Sequence, residues 1–393
     1  MRVTQKILSD RVMNNLNSVI SRTVEIQDML SSGKAVRRPS DDPVRINHIL
    51  DLKTSIGKLE QYQSNVEDAV SWLNLVDTTL DNATLTLQKI RTLAVEGANG
   101  SLTASDREII AVEVEQYLGE LIGVANTAYG DKFLFSGTEV KRSPFSLEGE
   151  KIKYWGNNQP IIREIESKTT MAIGFPGDEF FFRGAEASSE DMSAVDFSTY
   201  SGQSFTINGE NISIDASISN LQDLVNAINN HPDLKDQAYA TTDGSRLILR
   251  SRTEDPLSLF GTPLESWGVI DTTGTILHSR PAEGILKTVQ ELVGYLRADQ
   301  PGQISTQSLA DLDQGLEKLL QVRSQVGART LRLENALNRF GDFSTNMKEL
   351  LSLSEDIDVA QVVMELKEQQ NVYQMALAAA AQIIQPTLLD FLR

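Results

Sequence analysis

Residues 49–94 read ILDLKTSIGKLEQYQSNVEDAVSWLNLVDTTLDNATLTLQKIRTLA. Within them Ile49, Leu52, Ile56, Leu59, Gln63, Val66, Val70, Leu73, Asp77, Leu80, Thr84, Leu87, Arg91 and Ala94 recur at steps of three or four. A strand does not keep that period, because its side chains alternate every two residues. The spacing predicts one helix, roughly 70 Å long at about 1.5 Å per residue. A compact globule of this chain length has a radius of gyration of about 21 Å. The helix outruns such a globule, so the body reads as a rod.

The same grammar flanks this stretch. Upstream, Val12, Leu16, Val19, Thr23, Ile26 and Leu30 form a helical seam that stops at Ser31-Ser32-Gly33; glycine accepts the left-handed geometry of a helix end. In Arg37-Arg38-Pro39-Ser40-Asp41-Asp42-Pro43, either aspartate can cap a helix that begins at Pro43. A further helix is expected from Ala104 to Tyr129, with Ile109, Val112, Gln116 and Gly119 on one side and with Gly119 and Gly123 permitting close approach. Leu309, Leu312, Leu316, Leu319, Arg323, Val326, Thr330, Leu333, Leu337 and Phe340 again step by three or four. After a capped start within Ser354–Asp358, the last seam is Val362, Leu366, Gln369, Tyr373, Ala376, Ala380 and Ile383, ending at Pro386. Periodicity alone fits an ordinary helical bundle or an elongated one in which the two chain ends pair. The similar seams at opposite ends favour the second. Polar seam positions such as Thr23 and Gln369 weaken an isolated pair, so the terminal helices are expected to complete their burial in an assembly.

Between the arms the period changes to two. Lys132–Ser136, Lys151–Trp155 and Ile161–Ile165 read as strands. Phe205–Ile207 and Ile212–Ile214 flank Asn208-Gly209, a turn pair that tolerates positive φ. A short helix over Leu221–Asn229 and two strands about Asp243-Gly244 complete a unit at 205–252. The fold class is therefore α+β: an elongated bundle of long terminal helices with an inserted, mainly β outer domain.

Charge sharpens the division. The 393 residues carry a net charge of −18. Residues 1–60 hold 10 basic and 7 acidic side chains, whereas 101–300 hold 16 and 30. Such a body is unsuited to general nucleic-acid binding. Cysteine is absent, which excludes disulfides and thiolate chemistry. The start lacks a continuous apolar core and does not read as a cleaved signal. The long uncharged run near the end, Gln369–Leu389, is rich in amides and does not read as a membrane helix.

Catalytic patterns are missing. The chain has no HExxH, GxGxxG, Walker loop or G-x-S-x-G elbow. His48, His231 and His278 lie far apart in sequence and read as packing or solvent residues. Glu148, Glu150, Glu164 and Glu166 read as an exposed strand face. The one basic knot, Lys34 with Arg37-Arg38, reads as a salt-bridged loop at a subunit contact. No enzyme activity, cofactor or metal is expected.

Met1-Arg2-Val3-Thr4, the helix end Leu30-Ser31-Ser32-Gly33-Lys34 and the run Arg38–Pro43 resemble the flagellin superfamily. Lys132-Phe133-Leu134-Phe135-Ser136-Gly137-Thr138 is similar, within it, to the hook–filament junction family. The unit from Phe205 through Asn230 to Ser251 resembles a small repeat of flagellin outer domains, and Glu368–Ala381 resembles the superfamily's C-terminal helix. The resemblance implies a secreted structural protein of the bacterial flagellum, exported through the type III apparatus, that joins hook to filament. It implies as partners hook-associated protein 1, flagellin, further copies of this chain in a ring and an export chaperone that reads the C-terminal helix, with no nucleic acid and no membrane insertion. A flagellin-like filament subunit is the alternative, and a surface adhesin a more distant one.

On this reading residues 1–42 are an assembly helix and loop, and 43–137 the N-terminal half of a helical rod. Residues 138–280 are the outer domain, 281–350 the C-terminal rod half and 351–393 the last assembly helix. The expected assembly interface comprises Val12, Leu16, Val19, Ile26, Leu30, Arg37, Arg38, Asp41, Asp42, Val362, Leu366, Tyr373, Ala376, Ala380 and Ile383.

Overall fold

A computed structural model describes residues 5–384, except for the side chains of 5, 6, 8, 9 and 382–384. Met1–Thr4, Pro386 and the side chain of Ile383 thus lie outside the described residues. Along the chain run α1 (Gln5–Ser32), α2 (Pro43–Gly97), α3 (Ala104–Ala125), α4 (Leu221–Asn229), α5 (Thr262–Ser266), α6 (Ile285–Arg297), the single turn α7 (Pro301–Gln303), α8 (Leu309–Glu355) and α9 (Val359–Ile384). One π-type turn, Ile304–Ser308, leads from α7 into α8. None of the helices, over the described residues, is long and apolar enough to cross a membrane. The described residues form two compact units, 5–64 with 337–384, and 65–336.

In the first unit α1 packs on α9, and the start of α2 packs near the end of α8. Ile26, Ile49, Leu52, Ile56, Phe340 and Val362 are buried there. Tyr62 meets Phe340 with ring centroids 6.3 Å apart. The expected division at residues 350 and 351 falls inside α8, which runs on to Glu355.

In the second unit the long seams behave as their period requires. Val66, Leu73, Leu80, Leu87 and Ala94 of α2 are buried, as are Leu312, Leu319, Val326 and Leu333 of α8. The polar seam positions serve as cross-links. Arg323 reaches Asp77 at 3.1 Å and Asp81 at 2.6 Å, and Arg91 reaches Asp313 at 2.5 Å. The order of these pairs sets α8 antiparallel to α2. The two Arg323 pairs are partly buried on the arginine side and worth up to about 1 kcal/mol, whereas the Arg91 pair lies in solvent.

Helix α3 differs from expectation in three respects. It ends at Ala125, because the Asn126 side chain accepts from Phe145 N at 2.9 Å and donates to Phe145 O at 2.8 Å, turning the chain away. Its buried face is Ile110, Val114, Leu118 and Leu121, packed toward α6, while Ile109 is 67% exposed and Val112 faces out. Gly119 and Gly123 have open space rather than a close neighbour. The seam is shifted because buried Arg107, not Ile109, starts the packed side. Its guanidinium bonds Gly97 O, Asn99 O and Leu102 O and pairs with Asp299, which ties the Gly-rich break to α3.

The β region holds three hairpins: β1 (Ala128–Tyr129) with β2 (Lys132–Phe133), β3 (Phe145–Glu148) with β4 (Lys151–Tyr154), and β5 (Ile162–Glu166) with β6 (Thr169–Ala172). Beyond them lie β7 (Glu186–Ser188), β8 (Ser204–Ile207), β9 (Glu210–Ser213), β10 (Ala238–Thr242), β11 (Leu247–Ser251), β12 (Leu259–Phe260) and β13 (Ser279–Arg280). They form antiparallel sheets ordered β10-β11-β7-β13 and β12-β8-β9. The unit at 205–252 has the expected strand, turn, strand, helix, strand, turn, strand order. Asn208 and Gly209 take φ of 52° and 89°, the mirror-image turn geometry that fits a twisted hairpin. Trp267, Phe205, Leu224, Leu247 and their neighbours make one apolar core. A charged cluster is buried across the two central strands, β11 and β7, of the four-stranded sheet. Arg250 reaches Asp178 at 2.5 Å and Glu186 at 2.9 Å, and Tyr239 donates to Asp178 at 2.8 Å.

Candidate assembly interface

The loop between α1 and α2 is closed by its own sequence. Gly33 takes φ of 70° and donates to Met29 O at 2.8 Å, which ends α1. Asp41 accepts from the backbone N–H groups of Arg38 at 2.9 Å and Arg37 at 3.3 Å. The bond from Arg38 holds its carboxyl below the ordinary aspartate value. Asp42 caps α2 by accepting from Val44 and Arg45, both at 3.0 Å, with Pro43 at the first helical position. Both aspartates are therefore turn and cap residues.

This loop clasps the junction between α8 and α9. Lys34 forms an antiparallel bridge with Asp356, Ala35 N donates to Glu355 O at 2.7 Å, and Ile357 N donates to Gly33 O at 3.1 Å. Glu355 receives Lys34 at 2.6 Å and Lys53 at 2.7 Å, with its own side chain only 8% exposed. Arg45 donates to Ser354 O at 2.6 Å. Burial acts to raise the Glu355 carboxyl, but the hydrogen bonds from Lys34 and Lys53 outweigh it and hold the group below the ordinary glutamate value. The bond to Glu355 raises Lys34 in turn. Asp358 then starts α9 by accepting from Ala360 and Gln361.

The sequence reading had no role for Glu355, Lys53 or Arg45. Charge complementarity offers the missed signal: a basic knot at 34–38 calls for acids, and Glu355-Asp356 stands at the other break between helices. Part of the knot is thus satisfied within the chain, Lys34 by Glu355 and Arg37 by Asp28 at 3.4 Å. Arg38 is exposed and forms no ion pair among the described residues. A cleft of about 320 Å³ opens beside it, lined by Val24, Met29, Ala35, Arg37 and Asp41 among others.

Because α1 ends where α9 begins, the two helices run antiparallel. Their seams face inward but are covered unevenly. Ile26 and Val362, near the clasp, are buried. Val12, Leu16, Val19 and Leu30 on α1, and Leu366, Tyr373, Ala376 and Ala380 on α9, are half-buried. Ile383 has no described side chain. Outside the seams, Met13, Val24, Met364 and Met375 are each half or more exposed. Two helices alone cannot cover so much apolar surface.

The stretch Lys132–Thr138 has a different place. Leu134, Phe135 and Ser136 are buried, so its middle is a core element, while Lys132 and Thr138 at its ends are exposed. Phe135 packs edge-on against Phe180 and Phe181. Gly137 takes φ of 67°, and Tyr154 Oη donates to Phe135 O at 3.0 Å. The run is a strand for two residues only, after which it turns.

Comparison with known proteins adds the following. Residues 3–140 match the bacterial flagellin N-terminal helical region, and residues 309–392 match the bacterial flagellin C-terminal helical region. A flagellin of Clostridium tyrobutyricum is 25% identical over 391 residues, which is 98% of this chain and 100% of that protein. Flagellar hook-associated protein 3 of Escherichia coli is 27% identical over 182 residues, or 46% of this chain and 57% of that protein. The crystal structure of flagellar hook-associated protein 3 from Legionella pneumophila superposes with a TM-score of 0.50 at 21% identity, covering 77% of this chain and 98% of that one.

Proposed function

Because the chain belongs to the bacterial flagellin family, whose two terminal regions together match more than half of it, we propose that it is the structural adaptor between flagellar hook and filament. The observation that carries an assembly role is the uneven cover of the α1–α9 seam: buried at Ile26 and Val362, half-buried along the rest. Apolar surface left in this state is surface for another subunit. Arg38 and the cleft beside it supply a polar contact at the same end. The half-buried residues Val12, Leu16, Val19, Leu30, Leu366, Tyr373, Ala376 and Ala380 are proposed to act there, with Ile26 and Val362 packed within the chain and Arg37, Asp41 and Asp42 shaping the loop that positions Arg38.

The adaptor reading over a filament subunit is supported by the Lys132–Thr138 stretch and by the partial relative named hook-associated protein 3. Its partners would be hook-associated protein 1 on one side, flagellin on the other, and identical copies laterally in a ring, where repeated head-to-tail contacts can close. An export chaperone would hold the C-terminal helix before assembly. The end-to-end match to a flagellin favours the second reading, a filament subunit.

Electron microscopy of cells lacking the gene separates the two, with secreted flagellin measured alongside. Bare hooks and excess flagellin monomer, reversed by the intact gene, are expected. Attached filaments of normal length and number would reject the adaptor role.

A further inference from the structure

The outer region contains one cluster of side chains that neither the fold nor assembly uses. Glu210, His231 and Asp233 each offer a ligand atom, and these atoms lie within 4.8 Å of one another. Glu210 begins β9, directly after the Asn208-Gly209 turn, in register with Ile207. His231 and Asp233 flank Pro232 in the connection from α4 to β10. That connection is pinned: His231 N donates to Ile228 O and Lys235 N donates to His231 O, each at 3.2 Å. Three donors are thus brought together by two separate and well-braced segments.

Their surroundings leave them unmatched. None of the three side chains makes a hydrogen bond or ion pair among the described residues. His231 Nδ1 is shielded from solvent and without a partner, whereas shielded polar atoms are ordinarily satisfied. The two carboxylates and the imidazole lie close enough for one cation to reach all three. The other two histidines, His48 and His278, are exposed and stand outside this cluster.

We propose that Glu210, His231 and Asp233 bind a first-row divalent cation of the zinc type. One imidazole with two carboxylates suits zinc and its neighbours rather than magnesium or calcium, which prefer oxygen alone. Three protein ligands leave a position for water. Such an ion would tie the β8–β9 hairpin to the end of α4, a cross-link in a chain that has no cysteine to make one.

Tag-free full-length protein, first treated with chelator, would be titrated calorimetrically with zinc chloride. Stoichiometric binding is expected, with amide exchange slowed at 208–211 and 230–234 only. His231→Ala should abolish both effects, and Glu210→Gln should weaken binding while retaining the native circular dichroism. The double variant His48→Ala, His278→Ala should bind as the parent does. Absence of zinc binding, or unchanged binding in a folded His231→Ala or Glu210→Gln protein, would overturn the proposal. Equal uptake of magnesium would do the same.

Discussion

Lys34 and Glu355 are joined through side chain and backbone at once. The ammonium lies 2.6 Å from the carboxylate, and the next residue, Ala35, donates to the Glu355 carbonyl at 2.7 Å. Lys53 reaches the same carboxylate oxygen from α2. One glutamate thereby gathers the end of α1, the start of α2 and the break before α9. Glu355→Gln should cost about 1 kcal/mol, because both lysines remain partly solvated. Faster amide exchange at 33–36 and 355–357, with none in the outer region, is the expected reading. Unchanged exchange would show that the backbone pairing alone holds the clasp.

The clasp should depend on pH in a defined direction. Glu355 titrates lower folded than unfolded, so its contribution is complete above the ordinary glutamate value, about 4.3. It is lost as pH falls through the folded value. Lys34 titrates higher when folded, so its part is complete below about 10.4 and lost as pH rises past that. Exchange at 33–36 should therefore be slowest, after correction for the intrinsic rate, across the neutral range and should accelerate in acid. Glu355→Gln should flatten the acid limb.

Two glycines with the same backbone geometry should respond differently to alanine. Gly33 and Gly137 have φ of 70° and 67°. Around Gly33 a Cβ meets nothing within 4 Å, so Gly33→Ala should cost only the left-handed penalty, about 1–2 kcal/mol. At Gly137 the Cβ would collide with the Asn157 backbone, and Gly137→Ala should cost more than about 3 kcal/mol. Denaturation of the two variants, each followed by exchange in its own segment, tests the order.

Arg250 is almost enclosed between Asp178 and Glu186. Arg250→Leu leaves two carboxylates facing an apolar side chain, with Asp178 already raised by burial. A loss of about 3–5 kcal/mol is expected for the outer region. The double variant Arg250→Leu, Asp178→Leu should recover part of it. Equal losses in the single and double variants would mean that packing, not charge, dominates the site.

Leu366→Asp places a charge on the half-covered seam of α9. Filament attachment should fail in cells, while circular dichroism and exchange in 205–252 stay as in the parent. Attached filaments of normal number would remove Leu366 from the interface.

The helical arms were legible because a period of three or four survives even at polar positions. Asp77, Arg91 and Arg323 held their places in the seam and turned out to pair across it. The 205–252 unit was legible because Asn208-Gly209 and Asp243-Gly244 punctuate it. The face of α3 was not. Ile109 and Ile110 are adjacent, and the inward turn of Ile110 goes with the packing of α3 on α6 and the bonds of Arg107 to the preceding loop, neither of which a local period shows. The clasp was missed for another reason: Lys34 and Glu355 are far apart in sequence, and no local pattern links them. How far the α1–α9 seam is covered was not legible, since helical period marks an apolar face but not how much of it a neighbour within the chain buries.

The uneven charge has a consequence for crowding. Residues 101–300 carry 30 acidic and 16 basic side chains, whereas 1–60 are nearly balanced. Wherever copies stand side by side, their middles repel while their ends do not. At physiological ionic strength that repulsion fades over about 8 Å, and in dilute water it reaches much further. Dissolved salt therefore acts as a spacer setting. In an assembly of such copies it would set how closely their acidic middles approach, and it would leave apolar contacts between helices largely untouched.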